Sequence, residues 1–311
     1  MSARVTGQPI VGFGIDAHEP LRAVQAKGHP LRLRTRDVYR FPWGRHARGL
    51  GRAAALLPKA LTGRGGDKGG FLDTLFDLHR EMPSGVFSND GLGGLLQRVA
   101  AHAGRRDAFE DLLMPVRITA TNLNHAGRAV YGAGYELGAP VSGAVRASTC
   151  IPYYMHPVTL LDQDLIDGQI VDPIHLDLAV TPDVRVVFAV SPLATYDVNA
   201  ADSAARDAGR LGRAGAAIVL DQSARIAAGV KERASRRAFE AEHPDVHVVD
   251  VRPAPDDVFA LMNSVLRPGR FDVFWRMGHR AGRKALQNLS ATSRQALAEA
   301  GLELPGLTRA D

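Results

Sequence analysis

Cysteine is almost missing: Cys150 is the only one in 311 residues. No intramolecular disulfide can form, which excludes a disulfide-stapled scaffold and fits a reducing compartment. Long hydrophobic runs are missing too. No stretch approaches the roughly 20 apolar residues that span a bilayer, and Met1-Ser-Ala-Arg-Val-Thr-Gly7 opens no signal-peptide core. A soluble, cytoplasmic protein is expected, at most peripheral to a membrane. Aromatics are only 6% of the chain and no nucleic-acid motif is present, so nucleic acid is not an expected partner. Lysine occurs only at Lys27, Lys59, Lys68, Lys231 and Lys284, so the net charge of +5 rests on arginine. That bias reads as compositional before it reads as an anion-binding surface.

What remains is ordinary for a globular protein: 45% apolar and 23% charged residues. The length allows one large or two medium domains. Between Arg22 and Arg52 one acid, Asp37, stands among many arginines. This face reads as a solvated surface that could also meet anionic lipid head groups. Gly12-Phe-Gly-Ile-Asp-Ala17 spells G-x-G-x-x-A, but only Pro9-Ile-Val11 precedes it and no regular βαβ series follows, so a nucleotide site is set aside. Gly63 to Gly70 reads as a surface loop, because it lacks the Gly-Lys-Ser/Thr ending of a phosphate loop. His243 and His247 stand four apart, but Pro244 opposes a helix holding both, so neither a metal nor a cofactor is expected.

Helix patterns run over Phe71 to His79, Leu92 to Ala103, 203 to 239, Asp256 to Met262 and Phe271 to Leu289. Ser88 or Asn89 is placed to cap the second. Val184 to Val190 is a near-continuous apolar run, expected to be a strand covered on both faces, and Val246 to Val251 is another strand. After Ser290 the chain reads as weakly structured or a short helix. Strands separated by helices, with few hairpins, favour an α/β three-layer domain.

The most informative stretch is Phe109 to Asp177. It holds a β-rich run, Pro115 to Leu123, a polar turn, Asn124 to Gly127, and a return strand, Arg128 to Tyr131. A helix pattern, Val141 to Thr149, is stopped by Ile151-Pro152. Then Leu165-Ile-Asp-Gly168 puts an acid on a glycine turn directly after apolar residues. A buried strand ending in Asp-Gly presents one carboxylate at a sheet rim, where ligands collect.

Phe109-Glu-Asp-Leu-Leu-Met-Pro-Val-Arg-Ile-Thr-Ala-Thr-Asn-Leu123 resembles the patatin-like phospholipase family. Gly143 to Pro152 is similar to that family's Ala-x-x-Ala-Ser-x-x-x-Pro helix, and Leu165-Ile-Asp-Gly168 to the strand carrying its catalytic aspartate. The resemblance covers residues 35 to 190 well and extends more loosely to about 289. It implies a three-layer α/β/α sheet over a domain at 1–290, incomplete at its N-terminus, with a tail at 291–311. It also implies a serine acyl hydrolase acting on a lipid or ester through a Ser–Asp dyad without cofactor or metal; peripheral contact with anionic membrane is an expectation of the arginine-rich face alone. The catalytic base would be Asp167, supported in its turn by Gly168; Gln169 stands where the family has Gly or Ala.

Two family parts are absent. No G-x-S-x-G nucleophile elbow occurs in the 311 residues, and no Gly-rich oxyanion loop precedes the matched region. The elbow would fall near or before Val5 to Pro9, with its following helix at Ile10 to Ala26. Either the sequence starts late, the favoured expectation, or the protein is a degenerate member that binds lipid or an anionic partner without catalysis. The chain as given is expected to be inactive. Ser88 reads as a cap or turn residue, Ser148 lies on the packing helix, and Cys150 reads as buried and inert.

Overall fold

The computed structural model describes residues 2–5, 8–11, 39–44, 46–47, 51, 54, 83–192, 195, 216–253 and 271–302. In chain order the strands and α-helices are β1 (Ser2–Val5), β2 (Gln8–Val11), β3 (Gly85–Phe87), α1 (Asp90–His102), β4 (Arg117–Asn122), β5 (Gly127–Gly132), α2 (Val141–Ser148), β6 (Tyr153–Met155), β7 (Val158–Leu160), β8 (Gln163–Asp167), β9 (Val186–Val190), α3 (Ala216–Glu242), β10 (His247–Val251), α4 (Phe271–Gln287) and α5 (Ala291–Glu299). Helices and sheets mix, and the class is α/β. The chain forms two compact units, Leu33–Gly168 and Met1–Arg32 with Gln169–Asp311.

The unit Leu33–Gly168 is built on a four-stranded sheet in the order β5-β4-β8-β7, all neighbours antiparallel. The β4–β5 turn is held by Asn122, whose Oδ1 accepts the Asn124 and His125 N–H groups at 2.9 and 3.1 Å while its Nδ2 donates to Gln163 Oε1 at 2.9 Å. The β7–β8 hairpin turns on Leu161 and Asp162, both at positive φ (50° and 58°), as the right-handed strand twist requires of a two-residue loop. Helix α2 lies against this sheet. Its small residues Ala144 and Ala147 are fully buried beside Ala120, Leu165 and Cys150, and small side chains let backbone approach backbone. The Asp107 carboxylate accepts the Ser142 N–H at 2.8 Å, supplying the cap that Pro140 cannot. Strands β3 and β6 form a separate parallel pair.

The other unit holds the antiparallel hairpin β1–β2 and the parallel pair β9–β10, with α3 between the two parallel strands in sequence. Leu176, Val187, Ala189, Phe239 and Val246 form one core cluster, and Val249, Leu289 and Leu297 another. The Ser290 hydroxyl accepts the Ser293 N–H at 3.0 Å and opens α5, so Ala291–Glu299 takes the form of a short helix.

Four expectations need correction. Val186–Val190 is not covered on both faces: Val187 and Ala189 are buried, while Phe188 and Val190 are 44% and 67% exposed. An unbroken apolar run states composition, and packing against one face of the sheet leaves the alternate side chains outside. Hairpins are not few, since β4–β5, β7–β8 and β1–β2 are all antiparallel neighbours. Ile10 and Val11 belong to β2 rather than to a helix, being paired with Ala3 and Ser2. Asn89 holds the N-cap position of α1 but makes no side-chain cap bond. Its Nδ2 donates instead to the Arg146 carbonyl at 2.8 Å, and the Ser88 hydroxyl accepts the Asp90 N–H at 3.2 Å. The patterns at Phe71 to His79, 203 to 215 and Asp256 to Met262 lie outside the described residues.

Candidate functional site

Asp167 is the last residue of β8, and the two residues before it, Leu165 and Ile166, are buried at 0% and 8% exposure. The strand end is therefore anchored, while the Asp167 side chain is half-buried. Neighbouring β7 starts at Val158, opposite Leu165, and does not reach Asp167. The Asp167 N–H goes instead to the Cys150 carbonyl at 2.9 Å. On the β4 side its carbonyl accepts the Thr121 hydroxyl at 2.8 Å. Both backbone groups of the residue are thus fixed by other elements.

Gly168 follows and starts a 3-10 turn, Gly168–Ile170. A Cβ at this position would lie 2.6 Å from Thr119 Oγ1 and 2.7 Å from the Thr119 carbonyl oxygen. Glycine is required here by close approach to β4.

Cys150 is fully buried, and its Sγ donates to the His156 carbonyl at 2.9 Å. Burial, and then the Asp167 charge, push the thiol up to about 12. A thiol that stays protonated is a poor nucleophile, as the sequence suggested. Ser88 is buried and spends its oxygen on the α1 backbone, and Ser148 is half-buried on α2.

One contact has no sequence signal. The Ser84 hydroxyl lies 3.0 Å from His156 Nδ1, across 72 positions of chain. The parallel pairing of β3 with β6 produces it: Gly85 sits opposite Tyr153 and Phe87 opposite Met155, and the His156 N–H donates to the Phe87 carbonyl. The His46 ring meets the His156 ring edge-on at 5.5 Å. Ser84 is exposed, while the His156 ring is buried.

In the other unit, Asp172, His175 and Asp177 bring three ligand atoms within 4.8 Å of one another. Asp172 accepts the Ser235 hydroxyl at 2.7 Å and the Ile174 N–H at 3.0 Å. Two carboxylates and an imidazole are donors that a divalent ion accepts; the grouping by itself assigns none. The His243 ring lies tilted against Phe239 at 4.8 Å just after α3, while His247 begins β10. Gly12 to Ala17, Gly63 to Gly70 and most of the arginine-rich run from Arg22 to Arg52 lie outside the described residues. Among the described residues no helix is long and apolar enough to cross a membrane. Compared with known protein families the chain matches no family model, and no curated protein matches it in sequence.

Proposed function

We propose that the chain is a patatin-like lipid acyl hydrolase, with a three-layer α/β/α sheet and Asp167 as general base. One observation supports this reading above the others. A half-buried carboxylate stands at the end of a buried strand, its backbone held on both sides, before a glycine that admits no side chain. Catalytic bases need this fixity, since a positioned base acts only within hydrogen-bond reach of its proton. In the proposed cycle a serine hydroxyl gives its proton to Asp167 as its oxygen attacks the ester carbonyl. The alcohol leaves with that proton. Water then attacks the acyl-serine, Asp167 takes the water proton, and the acid is released as the serine is re-protonated. The substrate is a lipid or other carboxylic ester, met in the cytoplasm or at an anionic membrane surface through arginines.

The 311 residues hold no G-x-S-x-G, so the chain by itself is expected to turn over no ester. That absence favours a second reading, a non-catalytic patatin-like protein binding lipid or an anionic partner. The two part experimentally. The DNA upstream of the Met1 codon is read, the longest in-frame chain is expressed, and p-nitrophenyl butyrate hydrolysis is followed. The hydrolase reading expects an encoded elbow and activity that Asp167→Asn lowers about 10²–10⁴-fold. No elbow upstream leaves the non-catalytic reading. Hydrolysis by residues 1–311 alone, lost in Asp167→Asn, excludes it, and Ser84 beside His156 is then the first serine to replace.

A further inference from the structure

The unit Gln169–Asp311 contains a cleft of about 490 Å³ lined by residues of α3, β10, α4 and the start of α5. Its buried lining is apolar except for Ser293: Val249, Ala281 and Leu289 are 6%, 8% and 6% exposed. Its polar lining is unevenly used. Asp250, the single acid there, is bonded to both Arg236 and Arg252. Arg236 is engaged through all three of its nitrogens, with Glu240, Asp250 and the Val248 carbonyl as acceptors. Arg252 donates only through Nη2, to Glu232 Oε1 at 2.6 Å and Asp250 Oδ1 at 3.2 Å. Its Nε and Nη1, the Lys284 ammonium and the Asn288 side-chain amide have no acceptor among the described residues.

The cleft is thus rich in donors and has spent its acceptor. Charge narrows the ligand further. Arg236 and Arg252 are paired with Asp250, Glu232 and Glu240, which leaves the Lys284 charge without a partner among the described residues. One unpaired ammonium suits a single negative charge better than a dianion. A carboxylate can accept from the Lys284 ammonium and from Arg252 Nη1, and an aliphatic body matches Val249 and Leu289. We propose that this cleft binds an aliphatic carboxylate, its head on Lys284 and the free Nη1 of Arg252. This does not depend on Asp167 being a catalytic base.

The probe is sodium octanoate below its micelle concentration, titrated calorimetrically into the intact chain, with acetate and octanol as controls. One saturable site is expected. Lys284→Gln, a change at an exposed side chain with no partner among the described residues, should weaken octanoate about tenfold. Asn288→Ala should weaken it less. Arg252 is left intact because its Nη2 holds buried Glu232. Acetate should bind more weakly than octanoate, since it has no body to cover the apolar lining, and octanol more weakly, since it has no charge. The proposal is overturned if octanoate does not bind at millimolar concentration, if both variants bind it as the parent does, or if acetate or octanol binds as tightly.

Discussion

Gly168→Ala tests how the candidate base is held. The added methyl carbon would lie 2.6 Å from Thr119 Oγ1, 2.7 Å from the Thr119 carbonyl oxygen and 2.9 Å from its carbonyl carbon, where ordinary contacts begin at 3.4 Å. The hydroxyl can rotate away. The carbonyl cannot, because it belongs to the β4 backbone, so β8 must retreat from β4 by roughly 0.7 Å. That retreat strains the Thr121 hydroxyl bond to the Asp167 carbonyl. The expected cost is about 2–3 kcal/mol, which lowers the urea midpoint by about 1 M for a typical slope. Gly134→Ala is the control. Gly134 has φ +80° and a methyl added there would meet nothing within 4 Å, so its cost is the left-handed backbone alone, about 1 kcal/mol. A Thr119→Ala background removes the hydroxyl obstacle and leaves the carbonyl, so it should recover less than half of the Gly168→Ala loss. Urea unfolding followed by circular dichroism measures all of these. A Gly168→Ala cost no larger than that of Gly134→Ala, or full restoration by Thr119→Ala, would refute the steric account.

Asn122 is 5% exposed and makes three hydrogen bonds within the four-stranded sheet and its turn. Asn122→Ala strands two backbone donors and should cost about 2–3 kcal/mol in chemical unfolding. The Cys150 thiol, raised from the usual 9 to about 12, gives a pH dependence of known sign. Between these values the unfolded thiol loses its proton and the folded one keeps it, so stability falls as pH rises, by up to about 1.4 kcal/mol per pH unit. Unfolding from pH 9 to 11 should therefore show a steeper decline for the parent than for Cys150→Ala, and equal slopes would contradict the burial of the thiol. The same thiol should react with a disulfide reagent at pH 8 only at the rate of unfolding.

What was legible in the sequence was local. The β4–β5 hairpin announces itself by β-branched residues around Asn124-His-Ala-Gly127, and α2 by its small-residue face and the Pro152 stop. The β7–β8 hairpin escaped because Leu161 and Asp162 adopt positive φ without the Asn-Gly pair that usually marks such turns. Asn89 has the residue type of a cap and holds the cap position, yet its amide is spent on the end of α2, a partner 57 positions away. The Ser84–His156 contact escaped for the same reason, since parallel pairing of two three-residue strands leaves no periodic trace.

The candidate base divides along this line. That an acid ends a buried strand can be read from Leu165-Ile-Asp-Gly168 alone. What fixes the acid cannot: its N–H is taken by Cys150, its carbonyl by Thr121, and the space beside the next residue by Thr119. All three come from other elements of the same unit, and none carries the chemistry itself. A strand end has only two backbone groups with which to be held, and neither can be satisfied by its own strand. The fixity of Asp167 is therefore a property of β4 and of the residue ending the α2 segment, so changes at Thr119, Thr121 or Cys150 should disturb the carboxylate as surely as changes beside it.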